Sequence, residues 1–170
     1  MAITKIQSES MNLADTYAFT GTVTGAGESN DHSFFAHTPA SYQSLSNGVF
    51  TKVQCSVELY DTDSAYDHST NYRFTVPSGQ AGKYFFSGGI QMRNDNADLR
   101  IIFKINNQNS TGTHLNVSNH SSACKYIGAS KVFDLSVGDY VELFAAQGAG
   151  SSQDISDNKG TFFCGFKVSS

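Results

Sequence analysis

An all-β sandwich is the fold class that this 170-residue sequence predicts, and three observations carry it. Apolar and polar residues alternate with a period of two over several short segments. Clusters of Gly, Ser, Asn and Asp punctuate those segments. No stretch sustains a helical period. Short alternating runs between turn signals are the pattern of a sandwich or barrel.

Taken in order, the first clear run is "VFTKVQCSVELY". Val49, Thr51, Val53, Cys55, Val57 and Leu59 share one parity and are expected to face inward, with Lys52, Gln54, Ser56 and Glu58 outward. "NYRFTV" follows an Asp-rich turn, and "GKYFFSGGIQM" follows a Gly-rich one. In the latter, Tyr84, Phe86, Ile90 and Met92 fill the core. "LRIIFKIN" sets Leu99, Ile101, Phe103 and Ile105 against Arg100, Lys104 and Asn106. "DYVELFAA" opposes Val141, Leu143 and Ala145 to Glu142. In "TFFCGFKV" the expected inward set is Phe162, Cys164, Phe166 and Val168. Residues 1–30 read differently. Met11, Leu13, Tyr17, Phe19 and Val23 alternate only briefly before a Gly-, Ser- and Asn-rich end. We read 1–30 as an arm and 31–170 as the domain.

Two segments break the alternation. Phe85 lies on the parity opposite Tyr84 and Phe86, and Phe163 lies opposite Phe162 and Cys164. A sheet that is apolar on both faces needs cover on both. With no helix to supply it, another copy of the chain is the economical cover, and a homo-oligomer is expected; the alternative is that loops or the N-terminal arm cover Phe85 and Phe163.

Bulk composition narrows the function. Charged residues make up 15% and the net charge is −4, which argues against nucleic acid as a partner. No apolar run approaches a membrane span, so membrane insertion is not expected. The opening "MAITKIQSES" lacks the apolar core of a secretory leader. Cys55, Cys124 and Cys164 lie in strand-like apolar contexts without a C-x-x-C spacing, and are expected to be reduced thiols of a chain made in a cytoplasm, the alternative being one disulfide and a spare cysteine.

Four ordered motifs add a resemblance. They are Tyr66-Asp67 ahead of Phe74, Gly82-Lys83-Tyr84-Phe85-Phe86, Leu135-Ser136-Val137-Gly138-Asp139 and Phe163-Cys164-Gly165-Phe166. Together they resemble the globular head of complement subcomponent q, within the tumour-necrosis-factor-like superfamily, over roughly residues 33–168. Asn71 stands where the family usually has Gly. The resemblance implies a jelly roll of about ten strands that forms a homotrimer. It also implies that Phe34, Phe35, Phe85, Tyr126 and Phe163 lie at the subunit interface. The collagen-like stalk of secreted animal members is missing. The first 30 residues instead resemble the start of structural proteins of tailed, marine-type bacteriophages. That resemblance implies a virion-surface component made in the host cytoplasm: a capsid decoration protein, a fibre or a knob. Leu13, Tyr17 and Phe19 would then anchor the trimer to capsid or tail proteins, and a host-surface glycan or protein would be a further partner.

No catalytic constellation emerges. There is no G-x-S-x-G, no H-E-x-x-H and no assignable Cys–His pair, so an enzyme is not expected. No cofactor is expected either. Asp61, Asp63 and Asp67 have calcium-like spacing but lack the Gly and Glu of a calcium loop. Turn formation explains them, and Asn94 to Asp98, more simply. The competing reading is a stand-alone trimeric module that recognises cell-surface glycans or proteins. Capsid and tail genes alongside would favour the virion reading.

Overall fold

The computed structural model describes residues 32–93, 98–109, 115–117, 126–155 and 159–169. Leu13, Tyr17, Phe19 and Cys124 lie outside them, as does the proposed boundary at residue 30. Among the described residues every element is a strand. In chain order they are β1 (Ser33–His37), β2 (Gln43–Leu45), β3 (Thr51–Lys52), β4 (Val57–Asp61), β5 (Tyr66–Asp67), β6 (Arg73–Thr75) and β7 (Gly82–Gln91). They continue with β8 (Leu99–Ile105), β9 (Gln108–Asn109), β10 (Leu115–Val117), β11 (Tyr126–Leu135), β12 (Tyr140–Gln147), β13 (Gln153–Ile155) and β14 (Phe162–Ser169). These fourteen strands exceed the expected ten because seven of them are pieces of two or three residues.

Two sheets form the sandwich. One has the order β11-β7-β14-β1-β4, the other β10-β8-β12-β6-β5, with β3 added to β12 and β9 to β8. A small β13-β2 pair closes one end. The core between the sheets is aromatic. Phe34 stacks on Tyr66 and Phe74 at centroid distances of 4.8 and 5.2 Å. Phe163 meets Phe34 edge-on at 5.0 Å and lies 5.9 Å from Phe103. Such stacked and edge-on pairs add to the area they bury.

The parity expected for the last strand is reversed. Phe163 is 1% exposed and in the core, whereas Phe166 and Val168 are 43% and 46% exposed and face out. Both parities of β14 carry aromatics, so alternation alone could not choose between them. Gly165 chooses. A Cβ there would sit 2.6 Å from the Phe86 ring, so only a glycine can face the core at that point. Lys167 shares this inward parity at the end of the sheet, where its Nζ donates to Gln80 Oε1 at 3.0 Å. Phe34, fully buried, is likewise a core residue rather than an outward one.

The first alternating run is also not one strand. After β3 the chain leaves the second sheet, with Val53 N–H donating to Leu143 O, and enters the first sheet at β4. Val53 and Cys55 face the core as expected, but Val49 and Leu59 are exposed. The runs at Leu99–Ile105 and Tyr140–Gln147 keep their expected inward sets, and both strands are more deeply covered than alternation implies. Ile102, Glu142 and Phe144 are buried as well.

Candidate assembly face

The five-stranded sheet has one face in the core and one face away from it. Cross-strand register places the outward residues in rows. Val132, Phe85 and Phe166 form one row across β11, β7 and β14. Ser130, Ser87, Cys164, Phe35 and Tyr60 form the next. Gly128, Gly89, Phe162 and His37 form a third. Rings meet along and between these rows: Phe85 with Phe166 at 5.1 Å, Phe35 with Phe162 at 5.5 Å and Phe35 with Tyr60 at 6.3 Å.

Glycine makes part of this surface. A Cβ on Gly89 would collide with the Tyr126 hydroxyl and the Phe162 ring, so Gly89 lets both side chains lie across the sheet. The result is two aromatic clusters, Phe85 and Phe166 beside Val132, and Phe35, Phe162 and Tyr60 near Tyr126, separated by the small Ser87, Ser130 and Cys164, with no Asp, Glu, Lys or Arg in the three central rows. Tyr60, Tyr126, Val132, Phe166 and Val168 are all between 43% and 50% exposed. Exposed aromatic clusters of this kind make this face the candidate interaction surface.

Three of the five residues expected at an interface, Phe35, Phe85 and Tyr126, lie on this face. Phe34 and Phe163 do not, for the packing reasons given above. Sequence reasoning missed Tyr60, Val132, Phe162, Phe166 and Val168. Phe162 and Phe166 would have been found by giving Gly165 to the core.

Elsewhere the expected chemistry takes structural roles. Asp61 Oδ1 accepts from the Asp63 amide and Oδ2 from the Tyr66 amide. Asp67 accepts from the amides of Ser69, Thr70 and Asn71 and from Asn71 Nδ2. The Thr70 amide, followed by the other donors, holds its carboxyl below the usual carboxylate range. Among the described residues no group of three or more His, Cys, Asp or Glu side chains could hold a metal ion. Cys55 and Cys164 are free thiols. Burial pushes both thiols above their ordinary value. No helix among the described residues is long and apolar enough to cross a membrane.

Comparison with known proteins bears on the fold. No protein-family model matches the chain, and no curated protein sequence matches it. Solved structures do match. The globular domain of zebrafish complement 1qA protein superposes with a TM-score of 0.50 at 16% identity, covering 81% of this chain and 98% of that one. Murine APRIL gives a TM-score of 0.58 at 16% identity, covering 81% and 100%. PRD1 vertex protein P5 gives 0.53 at 14% identity, covering 80% and 94%. The fold is the complement-q and tumour-necrosis-factor type of jelly roll. In this jelly roll the outward aromatic face belongs to the sheet made of β11, β7, β14, β1 and β4.

Proposed function

We propose that the protein is a homotrimeric structural component of a virion surface, a decoration protein, fibre or knob, without enzymatic activity. The observation that carries the assembly is the aromatic outer face of the five-stranded sheet. Exposed aromatic area of this kind is unfavourable in water, and packing three copies about an axis removes it from solvent on every copy at once. Phe35, Phe85, Tyr126, Phe162 and Phe166 are the interface residues in this reading.

Two similarities support the virion role. The opening 30 residues resemble those of tailed-phage structural proteins. The same fold occurs in PRD1 vertex protein P5, a protein named for a vertex. Residues 1–30, through Leu13, Tyr17 and Phe19, would anchor the trimer to capsid or tail proteins.

Light scattering tests the assembly, with a trimer expected and a monodisperse monomer refuting it. Mass spectrometry and cryo-microscopy of purified particles test the location. The chain should be present at a copy number divisible by three. Removal of residues 1–30 should leave a folded trimer that no longer joins particles. Normal incorporation of the truncated chain would refute the anchoring role.

A further inference from the structure

A cavity of about 310 Å³ opens on the other sheet, bounded by the turn after β4 and by the β5–β6 hairpin, with Asp63, Ser64, Asp67, Asn71, Arg73 and Thr75 in its lining. Tyr66 and Phe74 turn into the core, so Asp67, Arg73 and Thr75 face outward from the hairpin. Its volume lies at the lower end of the range for small-molecule sites, roughly 300–1,000 Å³.

Arg73 is the distinctive group. Its guanidinium lies over the Tyr140 ring, 4.2 Å from the centroid, a cation–π contact. Two carboxylates are its cross-strand neighbours, Asp67 on β5 and Glu142 on β12. Both are committed elsewhere. Asp67 Oδ1 accepts from the Ser69 and Thr70 amides and the Ser69 hydroxyl, and Oδ2 accepts from the Asn71 amide and side chain. Glu142 pairs with Lys52 at 2.5 Å. Among the described residues Arg73 therefore makes no ion pair, and its fork of N–H donors is unspent.

Three further polar groups of the cavity keep free capacity, whereas Asp67 and Asn71 are spent on each other. Asp63 uses Oδ2 on His32 Nδ1 at 2.5 Å, which leaves Oδ1 able to accept. The Ser64 and Thr75 hydroxyls have no hydrogen bond among the described residues. Ser64 and Tyr72, in the two turns beside the cavity, both hold positive φ, 54° and 49°. Non-glycine residues held in this region mark sites whose shape is over-determined by their surroundings.

The geometry points to a binding site for a carboxylated sugar, the acidic monosaccharide unit of a surface glycan. A planar guanidinium binds a carboxylate through two parallel hydrogen bonds. The free Asp63 oxygen and the two hydroxyls suit ring hydroxyl groups, which donate and accept. Asp63 and Asp67 in the lining oppose a doubly charged phosphate, or the repeated charges of a nucleic-acid backbone, more strongly than the single charge of a sugar carboxylate, which Arg73 offsets. The site lies on the sheet opposite the assembly face, so it belongs to the single chain and does not rest on the trimer or on the virion role.

Titration of the full chain, followed by amide NMR shifts, tests this with two probes, the methyl glycosides of N-acetylneuraminic acid and of glucuronic acid. At least one should give saturable shifts at Ser64, Arg73 and Thr75. Methyl glucoside, which lacks the carboxylate, should bind about tenfold more weakly, as expected for losing a charge-assisted pair. Arg73→Gln should weaken the acidic sugar by a similar factor and abolish its preference over the glucoside. Arg73→Lys, which keeps the charge without the fork, should fall between. If Arg73→Gln does not fold, Thr75→Val and Ser64→Ala decide, each expected to weaken binding several-fold. Absence of saturable shifts with both acidic sugars overturns the proposal. So does equal binding of the glucoside, tighter binding of inorganic phosphate or a short oligonucleotide, or unchanged affinity in the folded variants.

Discussion

Replacing Phe166 by Asp should take the assembly apart without unfolding the chain. Phe166 is 43% exposed in the single chain and packs sideways on Phe85 at 5.1 Å. An aromatic side chain buries roughly 200 Å² when fully covered. Phe166 therefore has about 85 Å² left to lose on assembly, which at ~25 cal/mol per Å² is about 2 kcal/mol for each copy. Three copies lose about 6 kcal/mol, or roughly 10⁴ in the trimer association constant at ~1.4 kcal/mol per factor of ten. The three introduced carboxylates add repulsion in the same direction. Light scattering over a concentration series should show a trimer for the unchanged protein and a monomer for Phe166→Asp, with similar far-ultraviolet circular dichroism. A variant that remains trimeric at the same concentrations would refute the assignment of this face. So would a variant that loses its fold, because Phe166 would then be part of the core.

Phe163→Ala should have the opposite signature, a loss of about 3–5 kcal/mol in unfolding free energy, read as a lower denaturant midpoint, since Phe163 touches four core rings. Gly89→Val should disturb assembly by displacing Tyr126 and Phe162, and a trimer of unchanged affinity would contradict the packing described. Asp67 has a folded pKa lowered from 3.8, so its stabilisation is present above that value and is lost as the pH falls below it. Asp67→Asn should accordingly destabilise the protein at neutral pH, with the gap to the unchanged protein closing below about pH 4. Cys55, whose thiol is raised first by burial and then by Cys164, should resist alkylation at pH 8 until the chain is unfolded.

The sequence by itself determined the fold class, because a period of two with turn residues between the runs is a local property of the chain. It also located the long strands Gly82–Gln91, Leu99–Ile105 and Tyr140–Gln147, whose inward sets are buried as their parity requires, Ile105 at a strand end only partly. The consecutive aromatics at Tyr84 to Phe86 correctly signalled a sheet that is apolar on both faces. What parity could not decide is which aromatic of an adjacent pair faces the core. Phe34 and Phe35, and Phe162 and Phe163, have the same chemistry, and the choice was made by contacts distant in sequence: Phe34 against Tyr66 and Phe74, and Phe86 against the bare Cα of Gly165. The cavity was illegible for the same reason. Asp63, Asp67 and Arg73 look like turn and strand residues one by one. Only the pairing of β6 with β5 and β12 sets Arg73 beside two carboxylates, and only their hydrogen bonds to Asn71 and Lys52 leave its guanidinium uncommitted. Alternation specifies which sheet face a residue can occupy, whereas long-range packing and the allocation of hydrogen bonds decide what that face meets.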